Sequence, residues 1–187
     1  GHNLALRLAE EGYRVNFTLM FEPYQTQLAL QARPYFINAF IRHRKIQTER
    51  ICGFLRAHEL TRQQDQLEKL RSYLIASDYL SSGEKNLGLE AIAREVLHAR
   101  GVDVSSGAGD GLDAVRHSLR ALRNANLDDT RLIICSMEGA FNYPDIDRLL
   151  MEPEFADMTR RIVVTAEPRY LARFASSNQV ISYQRRF

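Results

Sequence analysis

Lysine is scarce in this sequence, because three of its 25 basic residues are lysines (Lys45, Lys69 and Lys85) and the rest are arginines. Cysteine is also rare. Cys52 and Cys135 are too far apart in the sequence for the spacing of a metal site, which predicts two reduced thiols in a cytoplasmic protein. No apolar run approaches the length of a membrane span, and no signal peptide is recognisable. A net charge of +2 gives no general bias towards nucleic acids or membranes.

The sequence does contain a strand–helix–strand pattern in residues 12–44. Residues 15–21 and 35–40 are runs of β-branched and aromatic residues, which are typical of short strands. Pro23 falls in the first turn of the intervening helix, where a missing N–H is tolerated, and Pro34 ends that helix. Two such strands joined by a helix predict a parallel βαβ unit. Its polar strand ends are the usual place for ligands in α/β proteins.

Helical and strand patterns continue along the rest of the chain. An amphipathic helix over residues 2–11 is expected to stop at Gly12, and Thr61 is the predicted N-cap of a later helix. The other predicted elements are, in order, helices at 39–58, 61–79, 88–100 and 112–125, a strand at 131–137, a helix at 144–159, a strand at 161–165 and a helix at 167–175. This order predicts an α/β fold with a parallel sheet of four strands. Two barrel segments, residues 1–44 and 110–187, would be separated by a helical insertion at residues 45–109.

One stretch of the sequence resembles a known family, the transaldolases. The residues that match the pattern around that family's fifth and sixth strands, without a gap, are Gly12, Asn16, Thr18, Leu19, Phe21, Gln25, Ile37 and Phe40. Residues 110–122 and 131–139, and then residues 161–174, are similar to the seventh and eighth strands with their helices. The resemblance implies a partial (β/α)8 TIM barrel with strands that correspond to β5–β8, interrupted by the helical insertion.

The resemblance also implies a reaction, which is aldol cleavage and transfer of a dihydroxyacetone unit through a lysine Schiff base, with no metal and no cofactor. Such chemistry needs an amine nucleophile held partly deprotonated, an acid/base carboxylate and a water. By the resemblance, Asn16 would orient substrate hydroxyls and Thr18 would help to position the catalytic water. The residues that would bind the substrate are Asn38, Phe40, Ser136 and Arg42. The implied partner is a small sugar or sugar phosphate, with no nucleic acid and no membrane.

The sequence departs from the family at several site positions. The family's lysine on the fourth strand would fall just upstream of Gly1, where the sequence begins without an initiator methionine, which suggests a fragment or a processed chain. Asn38 stands in place of the family's serine, and His43 in place of an arginine. Glu138 replaces a second arginine, and a carboxylate there would repel a phosphate dianion. We therefore expect Schiff-base chemistry only in a longer parent chain. Whether its substrate is a sugar or a sugar phosphate stays open.

Other functions fit parts of the sequence. In the alternative reading, the chain is a diverged, non-catalytic barrel protein in which the helical insertion binds a partner. A short basic run at residues 42–45, with Arg50, would suit nucleic acid, but it is mixed into an amphipathic helix and a solvated helix face explains it better. An isolated half barrel would also expose sheet edges that can pair with another copy of the chain. The sequence is therefore compatible with a homo-oligomer.

Overall fold

Strands and helices alternate along most of this chain. The computed structural model describes residues 1–83, 88–105, 107–136 and 142–165. The helices are α1 (His2–Glu10), α2 (Pro23–Leu30), α3 (His43–Thr61), α4 (Gln64–Ala76), α5 (Leu89–Ala99), α6 (Asp113–Asn124) and α7 (Tyr143–Leu150), followed by a 3-10 helix (Pro153–Arg161). The strands are β1 (Asn16–Phe17), β2 (Phe36–Phe40), β3 (Arg131–Cys135) and β4 (Ile162–Val164). The predicted α/β class is therefore confirmed.

The four strands form one parallel sheet in the order β1-β2-β3-β4. Asn16 pairs with Phe36 across β1 and β2, and Asn38 pairs with Ile133 across β2 and β3. Neighbouring parallel strands need a crossover connection, which is usually helical, and helices separate each pair of strands here. Each crossover moves the sheet by one strand in the same direction. The predicted parallel sheet of four strands is confirmed.

The chain divides into two compact units. Unit 1 comprises residues 1–43 and 112–187 and contains the sheet. Unit 2 comprises residues 44–111 and contains α4, α5 and nearly all of α3. The insertion predicted at residues 45–109 lies within unit 2. Unit 2 starts one residue before the predicted insertion and ends two residues after it.

Helices pack against one face of the sheet in unit 1. The core there combines aliphatic side chains of β2, β3 and α6 with an aromatic ring from the 3-10 helix. Its largest fully buried members are Ile37, Ile41, Leu112, Leu119, Leu122, Leu132 and Phe155. Thr26 Oγ1 of α2 and Ser118 Oγ of α6 share a buried hydrogen bond of 2.9 Å, so both hydroxyls are satisfied where the two helices meet.

The ends of the first two helices follow the local signals of the sequence. Gly12 takes a φ of +86°, and the N–H groups of Gly12 and Tyr13 donate to the carbonyl oxygens of Ala9 and Leu8. These are the two bonds of a Schellman motif, which satisfies the last carbonyl groups of α1. Pro23 is the first residue of α2, as the sequence predicts.

Several predicted limits are wrong. The helix predicted from residue 39 begins at His43, because Ala39 and Phe40 belong to β2. Thr61 is the last residue of α3 rather than the N-cap of α4, and its hydroxyl donates to the Ala57 carbonyl oxygen at 2.7 Å. The helix predicted at 144–159 is divided into α7 and the 3-10 helix, because Pro153 lacks the N–H that a continuous helix needs. The strand predicted at 15–21 is much shorter, because the backbone turns at Leu19, where φ is 57°. The helix predicted at 167–175 lies outside the described residues.

Unit 2 has a core of its own, formed by the facing sides of α3, α4 and α5. Its buried apolar residues are Ile51, Cys52, Leu55, Leu70, Leu74, Leu80, Ala93 and Leu97. The Arg100 guanidinium, just after α5, donates to the Arg44 carbonyl oxygen at 2.9 Å, to Gln47 Oε1 at 2.8 Å and to Thr48 Oγ1 at 3.1 Å. These bonds tie the end of α5 to the start of α3. No helix in the described parts of the chain is long and apolar enough to cross a membrane.

Three ion pairs join α6 to the segment around the 3-10 helix. Their nitrogen–oxygen distances are all 2.6 Å, and the pairs are Arg116–Glu152, Arg120–Glu154 and Arg123–Asp157. Hydrogen bonds from the Arg120 guanidinium lower the pKa of the Glu154 carboxyl, and those from Arg123 lower the pKa of Asp157. Both carboxylates are exposed, so each pair contributes little stability by itself.

Acidification is expected to weaken unit 1 through the Glu154 and Asp157 pairs. A carboxyl whose pKa is depressed by folding stabilises the folded state above its unfolded pKa of about 4, and this stability is lost as the pH falls through the folded pKa. The melting temperature of the Glu154→Gln, Asp157→Asn double variant should therefore fall less between about pH 5 and pH 2 than that of the wild type. Salt at about 1 M screens the ion pairs and should reduce the difference between the melting-temperature curves of the two proteins. Parallel acid curves for the two proteins would show that the pairs are not linked to folding.

Candidate functional site

Three side chains of β2 and β3 gather on the sheet face opposite to the helix-packed core. Side chains alternate between the two faces of a strand. Because Ile37 packs in the core, Asn38 and Phe40 point to the other face. Cys135 pairs with Phe40 in the register and shares that face. All three side chains are nearly inaccessible, at 5%, 4% and 7% exposure for Asn38, Phe40 and Cys135.

Asn38 and Cys135 are in direct contact across β2 and β3. The Asn38 Nδ2 donates to Cys135 Sγ at 3.2 Å. The Cys135 thiol in turn donates to the Ile133 carbonyl oxygen over a long distance of 3.9 Å. Asn38 Oδ1 is buried and accepts no hydrogen bond from the described residues. The pair thus leaves one strong acceptor unsatisfied within the sheet face.

Burial raises the pKa of the Cys135 thiol, and hydrogen bonds from Asn38 and Thr165 offset this rise in part. Burial also raises the pKa of Cys52 in unit 2. A thiol with a raised pKa is protonated at neutral pH and is a poor nucleophile. Cys135 is therefore suited to hydrogen bonding rather than to covalent chemistry.

Asn16 and Thr18 lie on the neighbouring strand and its continuation. Asn16 pairs with Phe36, so its side chain shares the sheet face of Asn38, two residues further along β2. Thr18 follows the end of β1, one residue before the left-handed turn at Leu19. Both Asn16 and Thr18 are exposed. They are therefore accessible to a ligand, whereas Asn38 and Phe40 are enclosed.

Aromatic rings line the carboxyl ends of β1 and β2. The centroids of the Phe21 and Phe40 rings are 4.9 Å apart, and the Phe21 ring stacks on the His43 imidazole at 4.2 Å. Such stacking closes the space between the two strand ends with apolar surface. Phe40 is thus both a core aromatic and a wall of the candidate site.

A chain of polar side chains follows the ends of β2 and β3. The Arg42 Nη1 donates to Asn142 Oδ1 at 3.1 Å, and the Asn142 Nδ2 donates to Ser136 Oγ at 2.6 Å. Asn142 is fully buried at the start of α7, and Arg42 takes a left-handed φ of 61°. The contacts hold the guanidinium beside the end of β3. Arg42 and Ser136, which the resemblance implies as substrate ligands, are therefore joined through one amide.

The predicted site residues thus fall into two groups. Each group contacts residues that the sequence did not predict as part of the site. Asn38 and Phe40 lie on the sheet face, with Asn16 beside them, and Arg42 and Ser136 lie past the strand ends. The missed partners are Phe21, Cys135 and Asn142. Asn142 had a signal, because an asparagine shortly before Pro144 is typical of a helix start. Glu138, the predicted charge reversal, lies outside the described residues.

The lysines of unit 2 that the structure describes are paired with carboxylates. Lys45 Nζ lies 3.9 Å from Glu49 Oε1, and Lys69 Nζ lies 3.0 Å from Asp65 Oδ2. Both are intrahelical pairs four residues apart, a spacing typical of exposed helix faces. Lys85 lies outside the described residues. Neither described lysine belongs to the sheet face that carries Asn38.

Within the described ranges, no three histidine, cysteine, aspartate or glutamate side chains are grouped in a way that could hold a metal ion. The polar groups of the candidate site are amides, hydroxyls, a thiol and a guanidinium. These groups bind neutral or anionic oxygen-rich ligands by hydrogen bonds. Comparison with known proteins finds no matching family model, no matching curated protein and no matching solved structure.

Proposed function

We propose that this chain forms part of a (β/α)8 barrel that carries out transaldolase-like aldol cleavage or transfer on a sugar through a lysine Schiff base. The observation that carries the proposal is the shared face of Asn16, Asn38 and Phe40 on adjacent parallel strands in sequential order. Sequential parallel strands with helices on one face are the arrangement of a barrel wall, whereas doubly wound sheets reverse direction to place helices on both faces. Polar side chains on the opposite face would then point into the barrel.

The roles of the residues come from the resemblance to transaldolases. By it, Asn16 would orient substrate hydroxyls and Thr18 would help to position the catalytic water, and both side chains are exposed on the first strand and its continuation. Phe40 would form an apolar wall beside them. Arg42 and Ser136, held together by Asn142, would bind the far end of the sugar, where a guanidinium suits hydroxyl or anionic oxygens.

The nucleophile would come from a strand that is not part of these 187 residues. A Schiff-base lysine must be partly deprotonated at neutral pH, which requires a desolvated or cation-flanked amine. Lys45 and Lys69 do not lie in such an environment, because each ammonium is paired with a carboxylate four residues away on its own helix. The proposal therefore assigns the reaction to the longer parent chain and the pocket wall to this sequence.

Borohydride trapping tests the proposal directly. The complete gene product is incubated with dihydroxyacetone and sodium borohydride, and intact-mass and peptide mass spectrometry locate the reduced adduct. We expect one adduct, on a lysine outside the 187 residues, and none on the 187-residue chain treated in the same way. The same treatment without the ketone controls for chemical modification.

The absence of an adduct from the complete gene product would remove Schiff-base chemistry. That result would favour the second candidate, a diverged and non-catalytic barrel protein with unit 2 as an interaction element. The observation in favour of this candidate is that unit 2 has a core of its own. An adduct on Lys45 or Lys69 would also contradict the proposal, since it would place the reactive amine in unit 2.

A further inference from the structure

The outward face of α2 is apolar although it is exposed. Thr26, Ala29 and Leu30 are the buried residues of this helix. At 3.6 residues per turn, Tyr24 and Leu28 point to the opposite side of the helix, where a spacing of four residues makes them neighbours. The two residues are 62% and 54% exposed. Two large apolar side chains therefore lie together in solvent, on the side of α2 that faces away from the core.

The helix α2 also carries no charge. Its sequence from Pro23 to Leu30 contains neither an acidic nor a basic side chain, whereas every other described α-helix contains both. Exposed helix faces are normally charged or polar, because water solvates them. Depletion of charge together with an exposed tyrosine is instead typical of the centre of a protein–protein interface. The composition of α2 thus favours an outer face that another protein chain covers.

A groove adjoins this outer face, between the carboxyl ends of α2 and α6. It has a volume of about 450 Å³, and its lining includes Gln27 and Gln31 of α2 with the apolar Leu30 and Leu127. Leu28 lies between the two glutamines in the sequence, so the projecting apolar side chains and the recess are side by side. A two-fold axis lets such a surface match itself, because the projection of each copy faces the recess of the other.

The charges at the two ends of α2 also suit a second copy. Glu22 precedes the helix, and the exposed Arg33 follows it and lines the groove. Two copies of α2 packed antiparallel would bring the acidic end of each beside the basic end of the other, with the neutral faces between them. We propose that this chain associates with a second copy through α2, with Tyr24 and Leu28 near the two-fold axis. The inference goes beyond the proposed function and does not depend on its chemistry.

Sedimentation velocity of the complete gene product tests this interface. The wild type should be a dimer at about 10–100 µM. Leu28→Glu should raise the dimer dissociation constant by about a hundredfold or more, because the two-fold axis places two carboxylates close together in a desolvated interface. Leu28→Arg should have the same effect, and an equimolar mixture of the two variants should recover association. Leu60→Glu is the matched control, since Leu60 is 85% exposed in unit 2, and it should leave the dimer unchanged.

A cross-link locates the interface without a charged substitution. Gln27→Cys places a thiol at an exposed position beside Leu28, and a short bismaleimide should join two copies of this variant but not of the wild type treated in the same way. A monomer at about 100 µM would overturn the inference. A dimer that persists unchanged in Leu28→Glu, as one formed through sheet edges would, also overturns it. If circular dichroism shows that Leu28→Glu is misfolded, the absence of a cross-link in Gln27→Cys has the same meaning.

Discussion

Replacing Phe155 with alanine is expected to lower the free energy of unfolding of unit 1 by about 3–5 kcal/mol. The ring is fully buried in the 3-10 helix and belongs to the core that covers the sheet. The guanidinium groups of Arg120 and Arg123 each lie 5.7 Å from the ring centroid, so they would lose a cation–π contact as well. Hydrogen exchange of the β2 and β3 amides at increasing denaturant measures this loss of unfolding free energy in the sheet that the ring covers.

Two further variants limit the interpretation of this result. Phe155→Leu keeps most of the buried volume and should cost less than the alanine variant. Met151→Ala removes a large side chain that is 83% exposed shortly before the same 3-10 helix, and it should change the free energy of unfolding by no more than about 0.5 kcal/mol. A loss at Phe155→Ala as small as that at Met151→Ala would show that the ring is not a core residue.

Replacing Leu74 with alanine is expected to lower the free energy of unfolding of unit 2 by about 2–5 kcal/mol. Leu74 of α4 is fully buried in the core that this helix shares with α3 and α5. Removing it leaves a cavity that rigid helices fill only in part. Hydrogen exchange of the α4 and α5 amides is the appropriate measurement, because these helices lie directly around the cavity.

Leu60→Ala is the matched control for unit 2. Leu60 is 85% exposed near the end of α3, so the same chemical change removes almost no buried surface. We expect its exchange pattern to match that of the wild type. If the two leucine variants had the same effect, the helices of unit 2 would be held by local propensity rather than by a shared core.

Much of the fold could be predicted from short-range signals. Gly12 and Pro23 mark helix ends because their backbone chemistry is decided within a few residues. The β-branched and aromatic runs located all four strands, and the intervening helices required those strands to be parallel. Thr61 shows the limit of such reasoning, because the same hydroxyl can cap a following helix or bond back to its own helix, and only tertiary packing decides between them.

The candidate site was less predictable for a related reason. Asn38 and Phe40 were predicted as site residues from the family resemblance, and alternation along β2 explains why their side chains share one face. The partner of Asn38 is 97 residues away in the sequence, and the partner of Arg42 is 100 residues away. Such contacts depend on the register between β2 and β3, which no local pattern encodes. Cys135 could therefore be read only as a reduced thiol until its neighbour across the sheet was known.

The position of unit 2 between β2 and β3 has a consequence for how fast the protein folds. The β2–β3 ladder is the longest-range pairing of the sheet, and a chain of some 95 residues separates its paired positions. The free energy of closing a flexible loop rises by only about 0.6 kcal/mol for each doubling of its length. The insertion therefore adds little to the free energy of pairing β2 with β3. A core formed early in unit 2 would shorten that loop further. We therefore expect variants that weaken unit 2 to slow the assembly of the sheet while leaving its final strand pairing unchanged.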